Sequence, residues 1–117
     1  MLALSPGARL YFYAGACDMR KGFNGLSGLV RNHFDHDPAN GSIYCFVNRR
    51  KDRIKLLCFE GDGYAVYYKV LAQGTFELPK VDAETGYSTI TSDTLHLILA
   101  GVKLASVQRR KRYKKVA

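Results

Sequence analysis

The sequence predicts an α+β fold: a small single domain in which an antiparallel β-meander packs with two helices and a basic C-terminal tail follows. Three observations predict it. The 117 residues fit one domain and leave no room for two. Apolar residues make up 47% of them, enough for a core. Short strand-like runs follow one another between two stretches of helical spacing, and helices outside a consecutive run of antiparallel strands define this class. The domain is expected over residues 1–104 and a flexible tail over 105–117.

Each element has its own signal. Leu10, Tyr11, Phe12, Tyr13 and Ala14 read as a first, aromatic-rich strand. A helix follows from about Asp18, which can cap it. Phe23, Leu26, Leu29, Val30 and Phe34 recur at helical spacing and make one apolar face. Gly22, Gly25 and Gly28 along this segment point to close backbone packing or to a helix start delayed to about Asn24. Residues 35–41 are a loop, broken by Asp37-Pro38 and Asn40-Gly41. Strands are expected over 43–48 and 53–60 around a turn at 49–52. Gly61-Asp62-Gly63 then marks a hairpin, followed by a strand over 64–71. A short strand over 75–78 ends at Pro79, and 80–89 is polar and loop-like. Thr91 or Ser92 can cap a last helix, with Asp93 in its first turn and Gly101 at its end. Leu95, Ile98, Leu99 and Val102 are its expected buried face. Short connections imply antiparallel neighbours, hence the meander.

Charge is concentrated. The formal net charge is +8, from 18 basic and 10 acidic residues. Arg109, Arg110, Lys111, Arg112, Lys114 and Lys115 lie within seven positions, and without them residues 1–108 carry only +2. Arg49, Arg50, Lys51, Arg53 and Lys55 form a second cluster, interrupted only by Asp52 and Ile54. In it, Arg53 and Lys55 are expected on the wet face of a strand. A nearly neutral body with two basic patches suits a polyanion, because each neutralised phosphate releases a condensed counterion. A hairpin of five cations can follow a phosphate backbone, and a two-stranded ribbon fits a major groove. Tyr44, Tyr64, Tyr67 and Tyr68 lie on nearby strands, where stacking on bases competes with ordinary sheet packing.

Other classes find less support. No run of eighteen apolar residues and no basic N-terminal leader occurs, so a cytoplasmic protein without membrane contact is expected. Cys17, Cys45 and Cys58 form no C-x-x-C pair and read as reduced, buried thiols. No cofactor or metal site is expected, the His33 to Asp37 stretch having no familiar ligand spacing. Gly22-Phe23-Asn24-Gly25 fits a GXXG clamp behind Arg20 and Lys21, a short and weak pattern. No nucleophile elbow or phosphate-cradling loop is present, and no catalytic residue is assigned. Asp52, Glu60 and Asp62 leave a small metal-dependent nuclease as a third reading.

Two stretches carry a family resemblance. Asp18-Met19-Arg20-Lys21-Gly22-Phe23-Asn24-Gly25-Leu26 resembles the Asp-Met-Arg-Lys-Gly-Phe-(Asp/Asn)-Gly-Leu block of the TnpB-type accessory proteins of insertion-sequence family 66. Residues 41–79 resemble the same family through the arginine-rich turn at 49–55, the acidic glycine turn at 60–63 and Gly74-Thr75-Phe76-Glu77-Leu78-Pro79. Thr91 to Gly101 is similar to the family's C-terminal helix. Where the family often places tryptophans ahead of the acidic turn, this chain has Cys58 and Phe59. The resemblance implies a non-catalytic part in DNA transposition, beside a separate and larger transposase, and brings no proven site residues. The expected partners are therefore DNA and the transposase or another element-encoded protein, with oligomeric state unassigned. Arg20, Lys21, Arg49, Arg50, Lys51, Arg53, Lys55 and the tail cations are the candidate contacts. The alternative is an adaptor that docks on the transposase through its aromatic sheet.

Overall fold

The computed structural model describes residues 7–101. Its elements are β1 (Leu10–Ala16), α1 (Phe23–Leu29) continued by a π-helical turn (Val30–Phe34), β2 (Ile43–Val47), β3 (Arg53–Phe59), β4 (Tyr64–Val70), β5 (Tyr87–Ile90) and α2 (Ser92–Ala100). The expectations for Val102, for the boundary at 104–105 and for the basic tail lie outside the described residues.

The strands form one sheet in the order β4-β3-β2-β1-β5. From β2 to β4 it is the expected antiparallel meander. β1 departs from that pattern by pairing parallel with β2, while β5 runs antiparallel to β1, so the sheet is mixed. A parallel neighbour needs a long crossover, and the stretch holding α1 supplies it.

Helices cover the two faces. On one, α1 and its π turn bury Leu26, Val30 and Phe34 among Tyr44, Phe46 and Leu57. On the other, α2 buries Leu95 and Ile98 among Leu10, Phe12, Cys45, Ile54 and Leu56. β2 is buried at every position, which explains why Ile43-Tyr44-Cys45-Phe46-Val47 shows no polar alternation: a central strand covered on both faces has no wet side.

Several expectations need correction. The segment 75–78 is not a strand. Its Phe76 is buried against the α2 face, and the Phe76 N–H donates to the Lys51 carbonyl at 2.6 Å. The fifth strand is Tyr87–Ile90, in a stretch read as loop, and it completes the sheet beside β1. α1 starts at Phe23, near the later of the two starts considered, with Gly22 as an N-cap that provides no side-chain bond. Asp18 instead accepts from the Arg20 backbone N–H at 2.9 Å. Gly22 and Gly28 do not mark close packing, since a Cβ on either would meet open space, whereas a Cβ on Gly25 would come within 3.0 Å of the Lys21 side chain. Phe23, placed by its spacing on the buried face, is 51% exposed.

α2 follows its signals. The Thr91 hydroxyl accepts from the Thr94 N–H at 3.1 Å, and Asp93 sits in the first turn. Gly101 closes the helix at φ 78°, a left-handed conformation that glycine adopts without a Cβ penalty. No helix among the described residues is long and apolar enough to cross a membrane.

Candidate nucleic-acid interface

The parallel pairing decides where the basic residues meet. Ala16 lies opposite Val47, and the Cys17 N–H donates to the Val47 carbonyl at 2.9 Å. β1 and β2 therefore end side by side. The chain leaving β1 carries Asp18, Arg20 and Lys21, and the chain leaving β2 carries Arg49, Arg50 and Lys51. Two segments nearly thirty residues apart in sequence thus share one end of the sheet, a basic edge formed where β1 and β2 terminate. An open depression of about 350 Å³ lies between them, bounded by Asp18 and Met19 on one side and by Arg49, Arg50 and Arg53 on the other.

The arginine-rich turn is built around Asn48. Its amide oxygen accepts from the backbone N–H groups of Asp52 at 3.1 Å and Arg53 at 3.0 Å. Its amide nitrogen donates to the Asp52 carboxylate at 2.7 Å. The Lys51 N–H closes the turn on the Asn48 carbonyl at 3.1 Å, with Lys51 at φ 63°. The chain after β4 braces it from outside: besides the Phe76 bond to Lys51, the Leu71 N–H donates to the Asp52 carbonyl at 2.8 Å. Local bonds thus hold the only acid of the turn, while Arg49, Arg50, Lys51 and Arg53 stay exposed. Among the described residues no ion pair neutralises any of these four. Asn48→Ala removes three hydrogen bonds worth about 1 kcal/mol each, and loss of roughly 2 kcal/mol is expected after partial replacement by water. In a thermal melt the midpoint should fall by about 10 °C. An unchanged midpoint would show that Asn48 does not hold the turn.

Arg20 and Lys21 are also exposed. Arg20 lies in a two-pronged pair with Asp18, its Nε and Nη2 donating at 3.0 and 2.7 Å. The Arg20 side chain and backbone N–H hold the Asp18 carboxyl down at about 2. Asp18 is therefore anionic at every pH above that value, and the pairing is lost only as pH falls through it. The Arg20 side chain is 92% exposed, so solvent screens this pair and it contributes little to stability.

Lys55 differs most from its expected role. It is 8% exposed rather than on a wet strand face. Its Nζ donates to the carbonyls of Met19 at 2.7 Å and Lys21 at 2.8 Å, and lies 4.7 Å from the centroid of the Tyr68 ring. The side chain ties the Arg20 segment to β3 and has no free face for a phosphate. No alternation rule could show this, because the partners are main-chain atoms more than thirty residues away.

The last turn of α2 reaches the same edge. Lys69 pairs with Ile54, next to the turn, and its Nζ donates to the Leu99 carbonyl at 2.9 Å. The tail cations at 109–115 follow Gly101 in sequence and lie outside the described residues.

The other constellations do not assemble. Asp52 stands at the start of β3, whereas Glu60 and Asp62 follow its end, a strand length of about 20 Å away. His36 packs among Tyr11, Tyr44 and Tyr87, with its Nδ1 2.9 Å from the Tyr44 hydroxyl. Among the described residues no group of three or more His, Cys, Asp or Glu could hold a metal ion. All three cysteines are free thiols; Cys17 and Cys45 are buried, and burial pushes each of the three up.

A family model described as IS66 Orf2-like protein matches residues 8–109. The uncharacterized protein y4jC of Sinorhizobium fredii (strain NBRC 101917 / NGR234) is 33% identical over 119 residues, covering 100% of this chain and 100% of that protein. The uncharacterized protein y4hO of the same organism is 29% identical over 102 residues, covering 87% of each chain. No solved structure matches.

Proposed function

The chain belongs to the IS66 Orf2-like family, and from that premise we propose that it binds DNA of the element through backbone phosphate and so assists the transposase. Membership makes it an accessory protein associated with transposition. The observation that supports DNA as the ligand is the single basic edge. Four exposed cations on a braced turn stand beside Arg20 and Lys21, and the nearby carboxylates of Asp18 and Asp52 are already held by local bonds. A turn fixed by its own backbone presents guanidinium groups with little ordering cost, and guanidinium suits bidentate phosphate contact. In this reading the edge tracks the phosphates, the tail adds contacts, and the transposase supplies the chemistry.

Fluorescence anisotropy tests it, with a labelled element-end duplex, a scrambled duplex and several salt concentrations. If six phosphates are neutralised, affinity falls about 10³-fold between 50 and 200 mM salt. A chain ending at Gln108 should show a shallower salt slope; an unchanged slope would remove the tail from the interface. Absence of binding to the duplexes and to a matched single strand even at low salt would overturn the reading in favour of the adaptor. One observation favours that second reading: apolar side chains of β4 are exposed. Capture of the transposase by the full chain in the absence of DNA would support it.

A further inference from the structure

Four of the five large apolar side chains exposed among the described residues, all but Val81, lie together. Along β4 the residues of one face alternate as Tyr64, Val66, Tyr68 and Val70, and the last three are 38%, 44% and 50% exposed. Phe23 extends this stripe from the start of α1, stacking on Tyr64 with centroids 6.3 Å apart and planes 17° from parallel. β4 is an edge strand, so nothing in the sheet covers its outer side. The two exposed aromatic positions, Phe23 against Tyr64 and then Tyr68, stand about 13 Å apart along the strand.

Cations border this stripe at one end. Arg53 pairs with Val70 in the sheet and its Nη1 donates to the Tyr68 hydroxyl at 3.3 Å. Lys55 sits over the Tyr68 ring while holding the carbonyls on either side of Arg20. The stripe therefore runs directly into the basic edge. Flat rings interrupted by small apolar side chains, with guanidinium groups at one end, complement a chain that alternates aromatic bases with phosphates. A duplex hides its base faces, and a protein partner would not require the adjoining cations. We infer that this face binds unpaired bases, so that the protein takes single-stranded DNA, or a frayed duplex end, with bases stacked on Phe23 and Tyr68 and phosphates led onto Arg53 and the turn. This inference rests on the phosphate-binding reading of the basic edge and names the form of DNA that fits it.

The test uses the full chain and three labelled probes: an oligothymidine of about 15 nucleotides, the same length with abasic sites, and a blunt duplex. Phe23→Ala and Tyr68→Ala are each expected to weaken oligothymidine binding about 10-fold, and the double variant about 100-fold. Duplex affinity should stay within about twofold, because every cation is retained and Arg49, Arg50 and Lys51 make no contact with either ring. The abasic strand should bind the parent protein as weakly as oligothymidine binds the double variant. Tyr68→Phe keeps the ring and should retain affinity, which separates stacking from loss of the Arg53 bond. Unfolding midpoints of all variants exclude a folding defect, and Val66→Ser provides a second, milder change on the same face should one appear. Equal oligothymidine binding by parent and double variant would overturn the stacking role while leaving the phosphate reading intact. Loss of duplex and single-strand binding together in a folded double variant would also overturn it. A parent that sediments as a dimer and becomes monomeric in the double variant would show instead that a second copy covers the stripe. Failure of the parent to bind any probe at low salt would overturn both readings.

Discussion

Lys55→Ala is expected to destabilise the protein by about 3 kcal/mol and to lower the unfolding midpoint by roughly 15 °C. The Lys55 ammonium donates to two main-chain carbonyls from a position that is 8% exposed. Hydrogen bonds to a charged donor contribute about 1.5–3 kcal/mol each, and contact with the Tyr68 ring adds about 0.5–1 kcal/mol or more. Against these stands the cost of holding an ammonium away from bulk water, which leaves a net of a few kcal/mol. Alanine also removes the apolar stem, so Lys55→Met is the sharper variant. It keeps most of the volume, deletes the charge, and should still lose about 2 kcal/mol. A methionine variant as stable as the parent would mean that the two carbonyls find water without cost. Hydrogen exchange gives an independent readout, since the segment 17–22 should lose protection ahead of the strands.

Lys55 marks the limit of what a strand's own residues reveal about its surroundings. β3 alternates Arg53, Ile54, Lys55 and Leu56, and the face assignment from that alternation is correct: Ile54 and Leu56 enter one core. The rule fails on the other face, where Leu57 is buried and Lys55 is covered by the segment before α1. Period two reports that two faces differ, not that one is wet. The same limit explains β1. Its strand character is plain in Leu10-Tyr11-Phe12-Tyr13, but no local signal names its partner, and the connection from β1 to β2 is long. A crossover of that length permits a parallel neighbour, and parallel pairing is what unites the Arg20 segment with the arginine turn. β5 was hidden because Tyr87-Ser88-Thr89-Ile90 is half polar. Ser88 is nevertheless buried, and its hydroxyl donates to the Lys80 carbonyl. Capping chemistry, by contrast, was legible residue by residue in α2, because Thr91, Asp93 and Gly101 act on atoms within four positions of themselves.

Neutralising Arg49, Arg50 and Arg53 together should weaken duplex binding about 500-fold at about 0.1 M salt and flatten the salt slope by about 2.7. Each lost phosphate contact withholds about 0.9 of a released counterion, and at tenfold dilution from 1 M salt that is about 0.9 of a decade in affinity. Lys51 is left in place because its left-handed backbone, at φ 63°, would confound charge with conformation. Stability should change by no more than about 0.5 kcal/mol, since Asn48 and the chain after β4 hold the turn through atoms the variant retains. Replacing the same three arginines by lysine divides the result further. Charge survives, so the slope should stay near the parent value; bidentate contact is lost, so affinity should fall by much less than in the alanine variant. Parental affinity in the triple alanine variant would assign phosphate binding to cations other than these three arginines and reduce their part of the turn to a structural corner. A lysine variant as weak as the alanine one would point to guanidinium-specific contact with phosphate or base edges, beyond what charge alone supplies.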